Sequence, residues 1–308
     1  MAVAVASQHN GRLAWRKFVN AVMLRLCSLG AVLAVVVLGL VLFFLVSRGI
    51  TALTPHFFSA IPNHENEKAG GMQQSIFGTL VLLAIASCIG LPFGILGGIY
   101  QVESRGRFAS TVRFLTDVLN GIPSIVIGIF VYAVAVYPVA QISHGSGFSA
   151  QAGGLALGIM MIPTVMRTTE EILRLVPFSM TEASLGLGAT RWRTMLSVVL
   201  PAARGGIITG VMLALARIAG ETAPLLFTIL GNEYFTTHSA SILGMHTQLP
   251  TLNAPIDALP LRIYNYAMGV DTDQQHLAWA GALVLILMIL LFSIAARTAT
   301  RNKFMEEK

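Results

Sequence analysis

Hydrophobic residues fall along this chain in six long runs that are separated by shorter polar and charged segments. Most of these runs approach or exceed the ~20 residues that an α-helix needs to cross the hydrocarbon core of a bilayer. The pattern predicts an all-α polytopic membrane protein with six transmembrane helices. The predicted spans cover residues 28–46, 75–99, 121–140, 152–166, 205–230 and 277–296.

Composition agrees with this class and charge sets the orientation. Of the 308 residues, 55% are hydrophobic and 11% are charged, whereas a soluble domain has about a quarter charged residues. With a cytoplasmic N-terminus, 16 of the 20 Lys and Arg residues lie in inside segments and 3 lie outside. This distribution predicts that both termini are cytoplasmic. The net charge of +6 therefore reflects membrane topology and does not indicate a nucleic-acid partner.

The runs divide the chain into a basic cytoplasmic segment (1–27), a transmembrane permease domain (28–296) and a cytoplasmic tail (297–308). The permease domain contains a long cytoplasmic loop at 167–204. The two cysteines lie in or beside predicted spans, which indicates packing rather than disulfides. The histidines lack metal-ligand spacing, so no metal site is predicted. A phosphate-binding loop motif is absent from the sequence, so ATP is expected on another subunit.

Two charged residues, Arg217 and Glu221, lie inside the fifth hydrophobic run. An arginine at the centre of a membrane helix costs roughly 2.5–3.5 kcal/mol on insertion scales. A spacing of four residues puts both side chains on one face of a helix that covers 205–230, where they can pair. One interpretation is a neutral pair that holds two spans together. The other is that both line a substrate pathway, where intramembrane charges are usually found.

The chemistry of this pair favours an oxyanion substrate. Arginine offers a planar fork of donors that suits a tetrahedral oxyanion. An oxyanion that retains a proton near neutral pH can donate a hydrogen bond to the Glu221 carboxylate, whereas the carboxylate repels a fully ionised oxyanion. Gly220 allows backbone or ligand to approach closely. The Arg217–Glu221 pair is thus predicted to select a protonated oxyanion over a fully ionised one.

Two further groups are weaker candidates for the pathway. Arg167 lies at the inner end of the fourth predicted span, with Glu170 and Glu171 one helical turn away; the alternative is ordinary positive-inside anchoring. Ser124 follows Asn120 at the predicted start of the third span, where a helix N-terminus can hold an anion. The predicted orientation makes this an exit site on the cytoplasmic side, and the alternative is a plain helix start.

The loop 167–204 predicts a protruding helical elbow. Ser179 and Glu182 are spaced as a capping box that starts a helix after Pro177. Gly188 turns the chain, and a second amphipathic piece at 190–199 leads into the next span. Such an elbow can dock in a groove on a partner protein.

At this loop the sequence resembles a known family. Glu182-Ala183-Ser184, then Gly188 after three residues, and Val198-Val199-Leu200-Pro201 after nine more, is similar to the EAA loop of ABC importer permeases. Ser184 replaces an alanine of that pattern and Val198 replaces an isoleucine. The resemblance implies a type I ABC importer permease fold. It also implies that Glu182, Ala183, Ser184, Gly188, Leu200 and Pro201 couple the spans to an ATPase.

The resemblance extends to the phosphate-specific permeases and their A-type subunit through GMQQSIFGTL, PFGILGGIYQVE, LNGIPSIVIGIFVY, MIPTVMRTTEEILRLVP and ARIAGET. It implies a bacterial inner-membrane subunit that is not itself an enzyme and forms half of a phosphate pathway. The implied partners are a C-type permease, an ATP-binding subunit homodimer that carries ATP and Mg, and an extracytoplasmic phosphate-binding protein. The loop 231–276, which includes Glu233, is expected to help receive that binding protein.

Three alternatives stay open at this stage. The first is the same machine with another oxyanion, such as sulfate, molybdate or phosphonate. The second is a secondary transporter or channel, which needs no docking elbow. The third is an intramembrane enzyme, for which the spans lack a His/Asp or Ser/Lys constellation.

Overall fold

The computed structural model describes residues 2–60, 71–104, 106–143, 145–232, 237–242 and 245–302. Within these ranges the chain forms thirteen α-helices and one antiparallel hairpin. The helices are α1 (Ala2–Gly49), α2 (Pro55–Ser59), α3 (Gln73–Glu103), α4 (Arg107–Gly121), α5 (Ser124–Val131), α6 (Tyr137–Ser143), α7 (Ala150–Arg174), α8 (Phe178–Gly186), α9 (Arg191–Thr194), α10 (Leu200–Ala219), α11 (Ala223–Leu226), α12 (Leu259–Met268) and α13 (Thr272–Asn302). The hairpin pairs β1 (Thr237–Ile242) with β2 (Met245–Pro250), with Thr237 opposite Pro250.

Five helical segments in the described part of the chain are long and apolar enough to cross a membrane. They are Trp15–Ala52, Gln73–Glu103, Ser124–Ile142, Arg191–Ala219 and Thr272–Thr298. The fourth predicted span, 152–166, lies within the 25-residue helix α7. The membrane class is confirmed, whereas the count of six spans stays a prediction because α7 is less apolar than the other five.

Helix α7 forms the centre of the bundle, with fifteen buried residues. It packs along α3 in the same direction, because Gly90, Gly94 and Gly98 face Met161, Val165 and Thr169 in turn. A Cβ added at any of these glycines would lie 2.6–2.7 Å from the facing side chain. Small residues therefore bring the two backbones into close contact, as is common where helices associate in lipid.

The helix of the third predicted span, 121–140, is broken. Its membrane-spanning part begins at Ser124 rather than at residue 121. α4 ends at Gly121, the chain is extended at Ile122 and Pro123, and α5 begins at Ser124. A proline disfavours helical conformation in the residue before it, which explains the break at this point. A π-helical turn, Tyr132–Val136, then joins α5 to α6.

The fifth crossing is displaced from its predicted position at 205–230. Helical structure runs from Arg191 through a π-helical turn, Met195–Val199, and continues as α10 to Ala219. Gly220 ends the helix, and Glu221 and Thr222 lie in a turn before α11. The basic segment 1–27 is likewise continuous with the first span, because α1 runs unbroken from Ala2 to Gly49. The C-terminal end of α1 contacts α13, where Gly49 lies against Trp279.

Candidate transport pathway and coupling surface

Arg217 lies in the last turn of α10 and its side chain is exposed on the surface of this chain. Leu213 and Gly220 are exposed on the same face of the helix, whereas Ile218 packs into the core beside Leu157 and Met161. An arginine side chain that faced lipid hydrocarbon within a membrane span would cost free energy. The exposed face of α10 is therefore suited to a water-filled path or to a partner subunit.

Glu221 is not on a helix with Arg217, so the predicted shared helix face is wrong. α10 ends at Ala219, and the Glu221 amide donates to Ile218 O at 3.2 Å in the following turn. Both residues are described, and no ion pair joins them within this chain. The helix ends there because Gly220 caps α10 and the Glu221–Thr222 turn leads into Pro224 at the start of α11. Each charge is therefore available to a ligand or to a neighbouring subunit.

The break before Ser124 lies at a depth similar to that of Arg217. Thr164, near the middle of α7, donates to Asn120 Oδ1 at 3.5 Å, just before the break. Gly210 of α10 packs against Thr168 of the same helix, and Arg217 is seven residues, or about 10 Å, further along α10. α5 therefore starts beside the middle of α7, and the predicted cytoplasmic location of Ser124 stays a prediction.

Glu170 is the centre of a charged cluster near the C-terminal end of α7. Its side chain is 4% exposed, and Oε1 accepts from Arg113 Nη2 at 2.9 Å and from Arg174 Nη2 at 2.8 Å. Arg113 also donates to Gln101 O at 3.3 Å. Arg113 lies on α4 and Gln101 on α3, so the cluster joins three helices.

Arg167 and Glu171 lie on the outside of this cluster. Arg167 Nε donates to Glu171 Oε1 at 2.8 Å, with the two side chains 44% and 57% exposed. Arg167 Nη1 is also 3.8 Å from Asp117 on α4. The arginine therefore bridges α7 and α4 from the solvent side, while Glu170 does so from within.

The loop 167–204 folds as the predicted elbow, although its helix starts at a different residue. α8 begins at Phe178 after Pro177, and Ser179 does not cap it, so the predicted capping box is wrong. Proline at the N-cap position already sets the extended conformation that begins the helix. Glu182 and Ala183 are exposed on α8, and none of its residues is buried in this chain.

The turn of the elbow depends on Gly188 and on one hydroxyl pair. Gly188 has a φ of +86°, a conformation that favours glycine, and nothing lies within 4 Å of an added Cβ. Ser184 Oγ lies 2.9 Å from Thr194 Oγ1 and so ties α8 to α9. Leu200 and Pro201 open α10 and continue the helix from α9. Pro201 therefore does not end the helix, and it directly follows the π-helical turn.

A buried ion pair lies at the opposite end of the bundle, beside the N-terminal end of α3. Arg262 Nε donates to Asp257 Oδ2 at 2.8 Å, with the side chains 4% and 0% exposed. Ser75 Oγ of α3 also donates to Asp257 Oδ2. Burial raises the pKa of Asp257, and the charge of Arg262 and the hydrogen bonds from Ser75 and the Ala258 amide oppose that rise.

Residues 90–302 match the family described as binding-protein-dependent transport system inner membrane component. The chain belongs to this family. The match covers every helix from the middle of α3 to α13, and it includes the elbow and the end of α10.

Curated relatives of this permease cover nearly its full length. It is 39% identical to the phosphate transport system permease protein PstA of Haemophilus influenzae over 299 residues, which is 96% of this chain and 99% of the relative. It is 41% identical to the protein of the same name from Pasteurella multocida over 285 residues, which is 92% and 94% of the two chains.

Solved structures with a similar fold are also ABC transporters. A bacterial alginate ABC transporter aligns with a TM-score of 0.57 at 15% identity and covers 88% of this permease and 94% of its own chain. The MetNI methionine ABC transporter in an inward-facing conformation aligns with a TM-score of 0.53 at 19% identity, with coverage of 75% and 96%. These likenesses confirm the predicted fold class.

Sequence reasoning missed the Asp257–Arg262 pair of this permease. Both residues lie in the loop 231–276, for which only a role in receiving a binding protein was predicted. The sequence gives only a weak indication of this ion pair. Arg262 is the one lysine or arginine in 231–276, and an arginine five residues from an aspartate does not indicate that either side chain is buried. Glu233 of the same loop lies outside the described residues.

We expect Glu170→Gln to destabilise this permease more than Glu171→Gln does. The amide at position 170 removes the buried negative charge that accepts hydrogen bonds from Arg113 and Arg174, whose side chains are 36% and 55% exposed. Loss of these charge-assisted hydrogen bonds costs about 1–3 kcal/mol. The exposed pair of Glu171 contributes roughly 0–1 kcal/mol. The measurement is the thermal unfolding midpoint of the purified complex for the two variants. Equal shifts would contradict the central role of Glu170.

Proposed function

We propose that this chain is the permease subunit of an ATP-driven inorganic phosphate importer and forms half of its translocation pathway. The observation that carries this proposal is an exposed arginine, Arg217, near mid-depth in a bundle whose relatives are named phosphate transport permeases. Only a polar path or a partner subunit makes that position favourable.

The proposed pathway joins two features at similar depth. Arg217 supplies a fixed positive charge with a planar set of donors. Ser124 begins α5, and a half-helix that starts within the membrane directs its positive dipole end and free amides towards an anion. Gly220 and Glu221 follow Arg217 in the turn, where the carboxylate accepts a hydrogen bond from the O–H group that phosphate has and sulfate lacks.

Arg167 is proposed to line the inner end of the same pathway. It is nearly half exposed, and its partners Asp117 and Glu171 are exposed as well. An oxyanion that leaves towards the cytoplasm would meet this arginine after Arg217. Glu170, by contrast, is proposed to hold α3, α4 and α7 together rather than to contact the substrate.

The elbow is proposed to dock in a groove of an ATP-binding subunit. The residues proposed to couple this permease to the ATPase are those that match the EAA loop: Glu182, Ala183, Ser184, Gly188, Leu200 and Pro201. The remaining partners are a C-type permease and an extracytoplasmic phosphate-binding protein, and ATP with Mg resides on the ATPase homodimer. The complex is placed in the bacterial inner membrane, with both termini of this chain cytoplasmic.

The experiment that tests this function is phosphate uptake by proteoliposomes that contain the co-purified complex. ATP is enclosed on the side of the basic loops, and excess sulfate or molybdate is the competitor. We expect uptake that requires ATP and ignores the competitors. Competition by sulfate would replace phosphate with a broader oxyanion class, and uptake by the isolated chain without ATP would exclude an ABC importer.

We expect Glu221→Gln to relax discrimination between phosphate and sulfate. The amide removes the negative charge that repels a fully ionised oxyanion, and it can donate a hydrogen bond to one. The change corresponds to about 1–2 kcal/mol, or about tenfold in the ratio of the two uptake rates. The measurement is uptake of each labelled anion by the variant, with Asp273→Asn as a control outside the pathway. An unchanged ratio would remove Glu221 from the specificity mechanism.

A further inference from the structure

The N-terminal end of α3 holds a buried polar clamp that consists of Ser75, Asp257 and Arg262. The Asp257 side chain is fully buried and receives hydrogen bonds from both other members. The backbone of Asp257 is equally constrained, since its carbonyl oxygen occupies the space that a side chain at Gly78 would need. Thr79 Oγ1 next to it accepts from the Leu259 amide at 2.8 Å. The segment that leads into α12 is therefore fixed on α3.

The clamp is connected to the turn that follows α10. Thr222 Oγ1, one residue after Glu221, donates to Pro260 O at 3.5 Å. Leu230 forms a parallel bridge with Ile256, and the Asn232 amide donates to Ile256 O at 3.4 Å. Both ends of the 221–232 segment thus rest on residues that flank Asp257.

The backbone at the far end of that segment needs such support. Leu230 has a φ of 65° and Gly231 a φ of 74°. A leucine in this region is strained and persists only where its surroundings fix it. Asp257 Oδ1 has no hydrogen-bond partner. It lies 3.5 Å from the position that a Cβ atom would occupy if Gly231 had a side chain. The carboxylate therefore faces the strained turn directly.

An ion pair does not add stability simply by being buried. Apolar residues of similar volume often stabilise a buried site as well or better, whereas the charged pair fixes one arrangement of its neighbours. The directional bonds of Asp257 to Ser75 and Arg262 set the position of the segment in a way that apolar packing would not.

We propose that Asp257 and Arg262 are positioning residues of transport, which hold the segment with Gly220 and Glu221 in place in the pathway. This inference rests on the proposed function of those two residues. The clamp touches no substrate and acts through the 221–232 segment.

The test uses the complete complex in proteoliposomes with four variants. Arg262→Met and Asp257→Asn each remove one charge, the double variant removes both, and Asp273→Asn is a control on the same side. Three quantities are measured: the maximal phosphate uptake rate, ATP hydrolysis without binding protein, and backbone hydrogen exchange of residues 220–232. Thermal stability of each complex is recorded alongside.

In each single variant we expect uptake to fall about tenfold and exchange in 220–232 to rise about tenfold, a factor typical of coupling between distant sites. Basal ATP hydrolysis and the Asp273→Asn control stay at the wild-type level. The double variant is expected to regain thermal stability but not uptake, because it has no unpaired charge yet lacks the directional bonds.

Recovery of uptake together with stability in the double variant would show that the pair is only structural and would overturn the proposal. Hydrogen exchange and phosphate uptake at the wild-type level in the single variants would also overturn the proposal. If a single variant fails to assemble, the double variant decides. Absence of phosphate uptake in the wild type, together with faster exchange in the variants, would refute the phosphate function and leave the clamp in place.

Discussion

Replacing Arg217 by glutamine is expected to abolish phosphate uptake while the complex still assembles. Glutamine keeps a polar side chain but loses the charge and the fork of donors that hold an oxyanion. Two charge-assisted hydrogen bonds contribute about 1.5–3 kcal/mol each, so uptake should fall by about a hundredfold or more. The measurement is uptake of labelled phosphate by reconstituted complex, with co-purification of the other subunits as the test of assembly.

The matched control is Arg25→Gln. Arg25 is exposed in the N-terminal half of α1, where positive charge is expected to anchor the first span. We expect this variant to retain most of its uptake. Normal uptake in Arg217→Gln would exclude the arginine from the pathway and would leave a contact with the partner permease as its role.

Replacing Leu187 by aspartate is expected to detach the ATP-binding subunit. Leu187 is 90% exposed at the tip of the elbow, beside Gly188. Burying a leucine in a groove contributes about 1.5–3 kcal/mol, and a carboxylate in its place must also be desolvated. The complex should therefore lose the ATPase on purification and lose ATP hydrolysis that depends on the binding protein.

Val270→Asp is the control for this substitution. Val270 is 99% exposed, but it lies between α12 and α13 on the opposite side of the bundle. We expect this variant to keep its ATPase. An intact, ATP-hydrolysing complex with Leu187→Asp would place the docking surface elsewhere on the loop.

Local sequence was sufficient wherever a feature depends on neighbouring residues. Gly188 indicated the turn of the elbow, and the structure gives it the left-handed conformation that favours glycine. The fixed spacing from Glu182 to Pro201 indicated the family, which the match over residues 90–302 confirmed. Charge alone could not place Arg167 relative to Glu170, because both lie on one helix and only the position of α4 decides which of them is buried.

Helix ends inside the membrane were the least predictable feature. The apolar run continues past Ala219 and through Ile122, so hydropathy indicates no end at either place. α10 nevertheless stops at Ala219, with Pro224 of the following segment packed against Gly128 of α5. The break at Pro123 lies beside Thr164 because α4, and not only α5, packs along α7.

The sequence by itself determined that this protein is an all-α membrane protein, because hydrophobic length sets that class, and the spacing from Glu182 to Pro201 indicated its family. The tertiary structure alone decided which charges meet. It separated Arg217 from Glu221, made Glu170 the centre of a buried cluster, and buried Asp257 with Arg262 at the N-terminal end of α3. Such contacts join residues far apart in the chain, and their geometry depends on how the helices pack rather than on any local pattern.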